Sequence, residues 1–271
     1  LTYIIDNYTN ESGVRKLKEI LFEIYSEINL DILNHYEKYL GNDDVNTITI
    51  EILDNKYLKK RRKITHKTIH AKNGVGIING LWANALGMGG IIPIECNFYP
   101  SNNFLDFKLT GLQGDVMKES MNVAKTLAWK LTSETRQKEL LEKFKDMKSF
   151  GIHIHCPEGA VPKDGPSAGT AITTVLYSRL NNIKIPKHIA ITGEIDLQGK
   201  VTAIGGLNLK ILGGIPAGVT TFLFPEENIK DFNLFKEEHN DKTIFETYKY
   251  IPVHSIEQVL DIVFKDGEQG C

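Results

Sequence analysis

Hydrophobic residues recur at helical spacing near the start of the chain and at mixed spacing after it. The first pattern predicts one long helix over residues 13–39, with Asn10 or Ser12 as its cap. Its apolar positions are Val14, Leu17, Ile20, Leu21, Ile24, Ile28 and Ile32. After a polar break, residues 47–50 alternate as a short strand does, and residues 54–58 predict one more helical turn. These elements have too little core to stand alone, which predicts that they complete a larger domain.

From residue 74 onward, alternating and helical patterns follow one another. Strands are predicted over residues 75–86, 91–98, 104–109, 151–155, 189–192, 220–224 and 249–253, the first three as a meander punctuated by glycines. Helices are predicted over residues 115–131, 134–144, 167–180, 207–213, 229–238 and 256–264. This alternation predicts an α/β or α+β domain over residues 74–266.

A basic run, Lys59–Lys63, separates the two patterns. Such a run is typical of a solvated linker, and nucleic-acid binding is the alternative interpretation. We place a linker at residues 59–73, after a helical segment over residues 1–58.

Composition narrows the classes of protein that this chain can belong to. It has 271 residues, 41% of them hydrophobic and 24% charged, with a net charge of -2. This charge does not favour a nucleic-acid partner, and no apolar run is long enough for a membrane span. The three cysteines, Cys96, Cys156 and Cys271, are too few for a disulfide framework and predict a soluble protein of a reducing, intracellular compartment. Because the chain begins at Leu1 without a methionine or a signal-peptide pattern, we expect it to be part of a longer protein.

One segment carries the strongest chemical signal. Ser167 follows a Gly165-Pro166 turn and precedes an apolar run of small residues. This order places a hydroxyl at the N-terminus of a predicted helix, where backbone N–H groups favour negative charge. Two interpretations follow: Ser167 is a helix cap, or it is a nucleophile that needs a base.

A family resemblance favours the nucleophile. Residues 162–169, Pro-Lys-Asp-Gly-Pro-Ser-Ala-Gly, resemble the serine motif of the Lon family of ATP-dependent proteases. Residues 192–210, from Thr-Gly-Glu to Gly-Gly-Leu-Asn-Leu-Lys, resemble the second motif of that family. The resemblance implies that Ser167 is the nucleophile, that Lys210 is its general base and that Thr192 aims the amine. A lysine has a reference pKa of about 10.4, so burial must lower it by roughly 2–3 units for this role.

Other polar residues near the serine motif allow weaker interpretations. Asp164 and Glu158 could support the site, as could Glu119, while surface or turn-forming carboxylates are the alternative. His153 and His155 share one face of their predicted strand and could provide a base or a metal pair. We expect neither role, and we expect no metal site and an inert, buried Cys156.

The resemblance covers nearly the whole chain and implies more than the catalytic pair of Ser167 and Lys210. It implies an α+β fold of the Lon proteolytic-domain type, with mixed sheets and packed helices, over residues 74–266. Residues 1–58 resemble the end of the small helical subdomain of an AAA+ ATPase, in which Arg15 of Gly-Val-Arg would sense nucleotide. Further stretches that resemble the family are 80–83, 114–120 and 224–231, whereas 87–93 and 215–218 diverge.

The partners and cofactors implied are those of an ATP-dependent protease. No Gly-x4-Gly-Lys-[Ser/Thr] loop occurs among the 271 residues, so ATP and Mg are expected only in the full-length protein and no cofactor is expected here. Substrates would be unfolded or damaged proteins, and the assembly a hexamer. The alternative is an inactive module of the same fold with a chaperone-like or assembly role.

Overall fold

The chain divides into two compact units, Leu1–His66 and Lys67–Cys271. The computed structural model describes residues 1–9, 11, 13–35, 47–64, 67–85, 87–111, 113–148, 150–157 and 165–265. None of the described helices is long and apolar enough to cross a membrane. The assignment of residues 1–58 to an ATPase subdomain and of residues 59–73 to a linker stays a prediction.

The first unit is built on one long helix. Helix α1, Thr2–Ile4, runs on as a π-helical turn, and α2 spans Arg15–Asn34, as its apolar spacing predicts. Residues 36–39 of the predicted helix lie outside the described residues, as do its predicted caps Asn10 and Ser12. Buried Ile4, Ile20, Ile24 and Leu58 form a small core of this unit.

The predicted strand over residues 47–50 is wrong. Helix α3, Ile50–Ile52, begins there, because the Thr49 hydroxyl accepts a hydrogen bond from the Ile52 N–H at 3.3 Å and caps the turn. The predicted turn over residues 54–58 overlaps the π-helical segment Leu53–Tyr57 that continues α3. Alternation of four residues therefore did not distinguish a strand from a capped helix start.

The second unit is built on a mixed sheet. Its strands are β1 Gly74–Val75, β2 Ile77–Ala83, β3 Gly89–Tyr99, β4 Phe107–Thr110, β5 Gly151–His155, β6 Lys184–Ile185, β7 Ile189–Ile191, β8 Glu194–Ile195, β9 Val201–Thr202, β10 Thr221–Pro225 and β11 Lys249–Val253. Among the described residues, seven strands form one sheet in the order β11-β10-β7-β2-β3-β5-β4, while β1-β6 and β8-β9 are small antiparallel pairs. The predicted fold class, α+β with mixed sheets, is confirmed.

The predicted meander holds for β2 and β3 but not for the next strand. Strand β5 pairs antiparallel with β3 and parallel with β4, and so separates them. Hydrophobic alternation predicts that a segment is a strand, but the identity of its neighbour depends on the long connection between β4 and β5.

Helices cover both faces of this sheet. They are α4 Asp115–Leu131, α5 Glu134–Met147, α6 Gly169–Asn181, α7 Leu207–Gly214, α8 Ile229–Glu238, α9 Ile244–Thr247 and α10 Ile256–Lys265. Consecutive strand residues join different cores: Ile92 packs in the core that contains α4 and α6, and Ile91 in the core that contains α7. Because side chains of a strand alternate, these two cores lie on opposite faces of the sheet. The serine and lysine motifs thus come from helices on opposite faces.

Helix α7 lies unusually close to β3, and glycines permit it. A Cβ atom on Gly213 would lie 2.1 Å from the Gly89 carbonyl carbon, and one on Gly89 would lie 2.0 Å from the Leu209 carbonyl oxygen. Both contacts involve backbone atoms, which cannot turn away as a flexible side chain can. The helix that carries Lys210 is therefore seated backbone to backbone on the sheet.

Replacing Gly213 with alanine tests this seating. Gly213→Ala should lower the free energy of unfolding by about 3 kcal/mol or more, because overpacking against backbone forces α7 off the sheet. Urea unfolding followed by circular dichroism measures the change. Gly205→Ala is the matched control, since a Cβ atom there meets no heavy atom within 4 Å. Equal stabilities of the two variants would contradict the close approach.

Candidate active site

Ser167 lies in a short 3-10 turn, Pro166–Ala168, that leads directly into the buried helix α6. Gly165 before it has φ 126°, a conformation that side chains rarely adopt, and Pro166 occupies the first position of the turn. No side-chain cap hydrogen bond forms at either the turn or the helix. Ser167 lies inside the turn and is the N-cap of neither element, since those positions are Gly165 and Ala168, so the helix-cap interpretation has no support in this geometry.

Thr192 and Gly193, which directly follow strand β7, hold the Ser167 backbone in place. The Gly193 N–H donates to the Ser167 carbonyl oxygen at 2.8 Å, and the Thr192 hydroxyl donates to the same oxygen at 3.2 Å. Thr170 of α6 in turn donates its N–H and its hydroxyl to the Gly193 carbonyl oxygen, at 3.0 and 2.9 Å. These bonds tie the start of α6 to the end of β7, which explains why the Thr-Gly pair and the serine motif meet.

Lys210 reaches the same point from the opposite side of the sheet. Helix α7 begins after Gly206, which has φ 68°, and places Lys210 one turn later with only 3% of the residue exposed. Its Nζ donates a hydrogen bond to Thr192 Oγ1 at 3.0 Å. Burial lowers the pKa of Lys210 from 10.5 to about 8. Roughly a quarter of the amines are thus neutral at pH 7.5.

The Thr192 hydroxyl sets the direction of the amine. It has one proton, which it donates to the Ser167 carbonyl oxygen, so it meets Lys210 as an acceptor. A neutral amine that donates to Thr192 keeps its lone pair free to take a proton. Among the hydrogen bonds of the described residues, none joins Ser167 Oγ to Lys210 Nζ; catalytic hydrogen bonds are often long before a substrate binds.

Serine and lysine nevertheless open into one cleft. It has a volume of about 310 Å³ and is lined by Trp82, Ala83, Pro166, Ser167, Ala203, Ile204, Gly205 and Lys210. The Trp82 indole donates to the Ile91 carbonyl oxygen at 3.2 Å and packs against Gly90. Apart from Lys210, no charged side chain of the described residues lines the cleft.

The weaker candidates lie elsewhere or cannot be placed. Asp164 and Glu158 lie outside the described residues, and Glu119 is exposed on α4. His153 and His155 share one face of β5, as their spacing predicts, and both contact the Thr110 hydroxyl, at 2.9 and 2.8 Å.

Neither Arg15 nor Cys156 lines the cleft. Arg15, in the first unit, is exposed and pairs with Glu19 at 3.2 Å. Cys156 is fully buried among apolar residues. In the described part of the chain, no group of three or more His, Cys, Asp or Glu residues is placed to hold a metal ion.

Two residues that were not identified from the sequence, Ser120 and Asn228, hydrogen-bond the backbone of residues lining the cleft. Ser120 of α4 donates to the Pro166 carbonyl oxygen at 3.4 Å, and its hydroxyl lies 2.7 Å from where a Gly169 Cβ would be. Asn228, buried before α8, hydrogen-bonds the backbone of Ile204 in the cleft wall. Both residues fall in stretches that resemble the family, yet no local pattern indicates what either of them contacts.

Comparison with known proteins decides the family. Residues 48–266 match the model of the Lon protease (S16) C-terminal proteolytic domain. The chain belongs to the Lon protease family. It is 38% identical to the Lon protease of Clostridium acetobutylicum over 96% of this chain, and 37% identical to that of Mycoplasma mycoides over 98%. It is 35% identical to a Lon protease homolog of Acanthamoeba polyphaga mimivirus over 87% of this chain.

These relatives are much longer than the chain. It spans 31% of the two bacterial Lon proteases and 28% of the mimivirus homolog. The family match covers most of the second unit, which contains the cleft. The resemblance to Lon proteases seen in the two motifs is thereby confirmed, while the roles of Ser167, Lys210 and Thr192 stay predictions.

The buried amine of Lys210 gives the Lon domain a pH-dependent stability. Its folded pKa of about 8 lies below the unfolded value of 10.5, so at pH 7 a charged amine is buried at a cost of roughly 3 kcal/mol. Folding is therefore opposed below pH 8, and this opposition disappears as the pH rises toward 10.5.

Lys210→Met removes that cost. The variant should gain up to about 3 kcal/mol in free energy of unfolding at pH 7, and its advantage over the wild type should shrink between pH 8 and 10.5. Urea unfolding across this pH range measures both. Lys130→Met, at an exposed position of α4, controls for removal of a lysine charge. A constant difference between Lys210→Met and the wild type at all pH values would refute the lowered pKa.

Proposed function

We propose that the chain is the proteolytic part of an ATP-dependent serine endopeptidase in which Ser167 is the nucleophile and Lys210 the general base. One observation supports this most strongly: the buried Lys210 amine, hydrogen-bonded to Thr192, lines the same cleft as Ser167. A serine hydroxyl is a poor nucleophile until a base takes its proton. With a pKa of about 8, roughly a quarter of the amines are neutral at pH 7.5, against about 0.1% for an ordinary lysine.

The reaction follows from this arrangement. Neutral Lys210 takes the proton of Ser167 as Oγ attacks the peptide carbonyl carbon. The backbone N–H of Ser167 itself stabilises the negative charge on the carbonyl oxygen, since the N–H groups of Gly169 and Thr170 at the start of α6 are already hydrogen-bonded. Lys210 then protonates the leaving amine, which leaves an acyl-enzyme on Oγ. Lys210 next takes a proton from a water molecule, which attacks the carbonyl carbon of the ester. Lys210 returns this proton to Ser167 Oγ as the C–Oγ bond breaks, which frees the serine and releases the carboxylic acid product.

The full-length protein would add the energy source and the substrates. The chain covers only part of the length of its Lon relatives, and its sequence contains no phosphate-binding loop. ATP and Mg would therefore bind outside it. We propose that an ATPase ring feeds unfolded or damaged proteins to the Ser167 cleft of a hexamer, and that Arg15 senses the nucleotide there. Asp164 and Glu158 remain proposed supports of the loop before Ser167.

Labelling with a fluorophosphonate tests the nucleophile and the base together. The full-length protein should be labelled at Ser167, at a rate that rises with pH through about 8, because only the neutral amine accepts the proton. Ser167→Ala should abolish labelling, and Lys210→Met should slow it by roughly 10²–10⁴-fold while the fold is retained. Mass spectrometry locates the adduct.

The inactive-module alternative makes the opposite prediction. A folded, assembled protein that is not labelled at any pH would sink the peptidase proposal and favour a chaperone-like role. Labelling at another serine would retain a hydrolase but reject this dyad.

Thr192→Val isolates the role of the threonine hydroxyl. The change keeps the shape of the side chain but removes the acceptor for Lys210 Nζ and the donor to the Ser167 carbonyl oxygen. We expect labelling to slow by roughly 10–100-fold, since the Lys210 amine and the Ser167 backbone both lose a hydrogen bond that orients them. Thr192→Ser keeps the hydroxyl and should stay within about threefold of the wild type. Equal rates for the two variants would show that the hydroxyl has no part in the reaction.

A further inference from the structure

One wall of the cleft is a short segment, residues 203–205, between β9 and α7. Ala203 and Gly205 are exposed, whereas Ile204 is buried in the core below α7. No Cβ contact limits Gly205, and Gly206 after it is left-handed, with φ 68°. Backbone of this kind has many conformations available, so something outside the segment must hold it.

Asn228 is the side chain that holds it. Its Oδ1 accepts from the Ile204 N–H at 2.9 Å, and its Nδ2 donates to the Ile204 carbonyl oxygen at 2.8 Å. The second Nδ2 hydrogen reaches Asp231 Oδ2 at 2.6 Å. All three bonds require the same orientation of the carboxamide, since the flipped amide would set donors against donors and acceptors against acceptors. Asn228 is 2% exposed, so water does not compete for these bonds.

The use of this asparagine is unusual for its position. Asn228 stands at the N-cap of α8, where asparagine commonly bonds the free N–H groups of its own helix. Here no side-chain cap bond forms, and the carboxamide is turned to Ile204 instead. The carboxamide therefore makes two bonds to the 203–205 wall besides its one bond to Asp231 of α8.

Glu227 adds a second support to the same wall. Its Oε2 accepts from the Ala203 N–H at 2.9 Å, and its Oε1 pairs with Lys200 at 2.6 Å. Adjacent residues of one turn thus bond adjacent residues of the wall. We infer that Asn228, aided by Glu227, is a positioning residue of the proposed Lon peptidase site: it fixes the 203–205 wall and thereby keeps water from Lys210.

The link to Lys210 follows from the cleft. Ala203, Ile204 and Gly205 line it together with Lys210, and Gly206 accepts the Lys210 backbone N–H at 3.0 Å at the first turn of α7. Burial is the cause that lowers the pKa of Lys210. A wall that moves away admits water to the amine, and its charged form then regains solvation. Loss of Asn228 should therefore shift the pH at which the site becomes active.

The inference rests on the proposed function, and one experiment separates the two. Fluorophosphonate labelling of Ser167 is followed against pH in the full-length protein and its Asn228→Ala and Asn228→Asp variants. Both variants should move the midpoint of the labelling profile upward by about one pH unit, which slows labelling at pH 7 about tenfold. Aspartate retains the size of asparagine but cannot donate to the Ile204 carbonyl oxygen.

Asn79→Ala is the matched control for a merely structural effect. Asn79 is also a buried asparagine whose Nδ2 donates to two backbone carbonyl oxygens, of Lys187 and Ile189, but it does not line the cleft. It should lower the melting temperature and leave the midpoint in place. If the Asn228 variants lower the melting temperature and keep the wild-type midpoint, as Asn79→Ala does, the positioning role is overturned.

A milder pair of variants covers the case in which the Asn228 variants do not fold. Glu227→Ala removes the acceptor for the exposed Ala203 N–H and should slow labelling at pH 7 by roughly threefold, again by an upward shift of the midpoint. Glu227→Gln keeps that acceptor and should match the wild type. Equal profiles for both Glu227 variants would contradict the inference. Absence of labelling in the wild type would instead reject the proposed function itself.

Discussion

The proposed active site of this Lon domain depends on burying one amine. A lysine at the surface is charged at physiological pH and cannot take a proton from serine. Lys210 is buried, and its burial lowers its pKa to about 8. Its helix α7 is seated backbone to backbone on β3, and the 203–205 wall lines the same cleft. The buried amine lowers the stability of the domain, since its charged form below pH 8 opposes folding.

The Thr192 hydroxyl connects the two faces of the sheet. Ser167 comes from the helix layer on one face and Lys210 from the layer on the other, and β7 ends between them. Thr192, directly after β7, bonds both the Ser167 carbonyl oxygen and the Lys210 amine. Because Thr192 directly follows a strand, its hydroxyl is held in place by the sheet. This single hydroxyl therefore fixes Ser167 and Lys210 relative to each other, although their helices do not share a core. Gly193 is needed beside it because a side chain there would collide with Thr170.

Local patterns predicted most of the fold, and two motifs indicated the residues of the proposed site. Apolar spacing placed α4, α8 and β11 correctly, since each has a clear period and clear ends. It failed at residues 47–50, where a Thr49 cap outweighs alternation, and it could not reveal that β5 lies between β3 and β4. The support of Ile204 by Asn228 was equally hidden, because 24 residues separate partners that only the fold brings together.

The most direct measurement of the central claim is the titration of the Lys210 amine itself. Nuclear magnetic resonance of the full-length protein with isotope-labelled lysine follows each amine against pH, and Lys210→Met identifies the signal that belongs to residue 210. We predict that this signal titrates near pH 8, as burial in the cleft requires. Titration of Lys210 near the ordinary value of about 10.4 would contradict the account, since the cleft would then hold no base for Ser167.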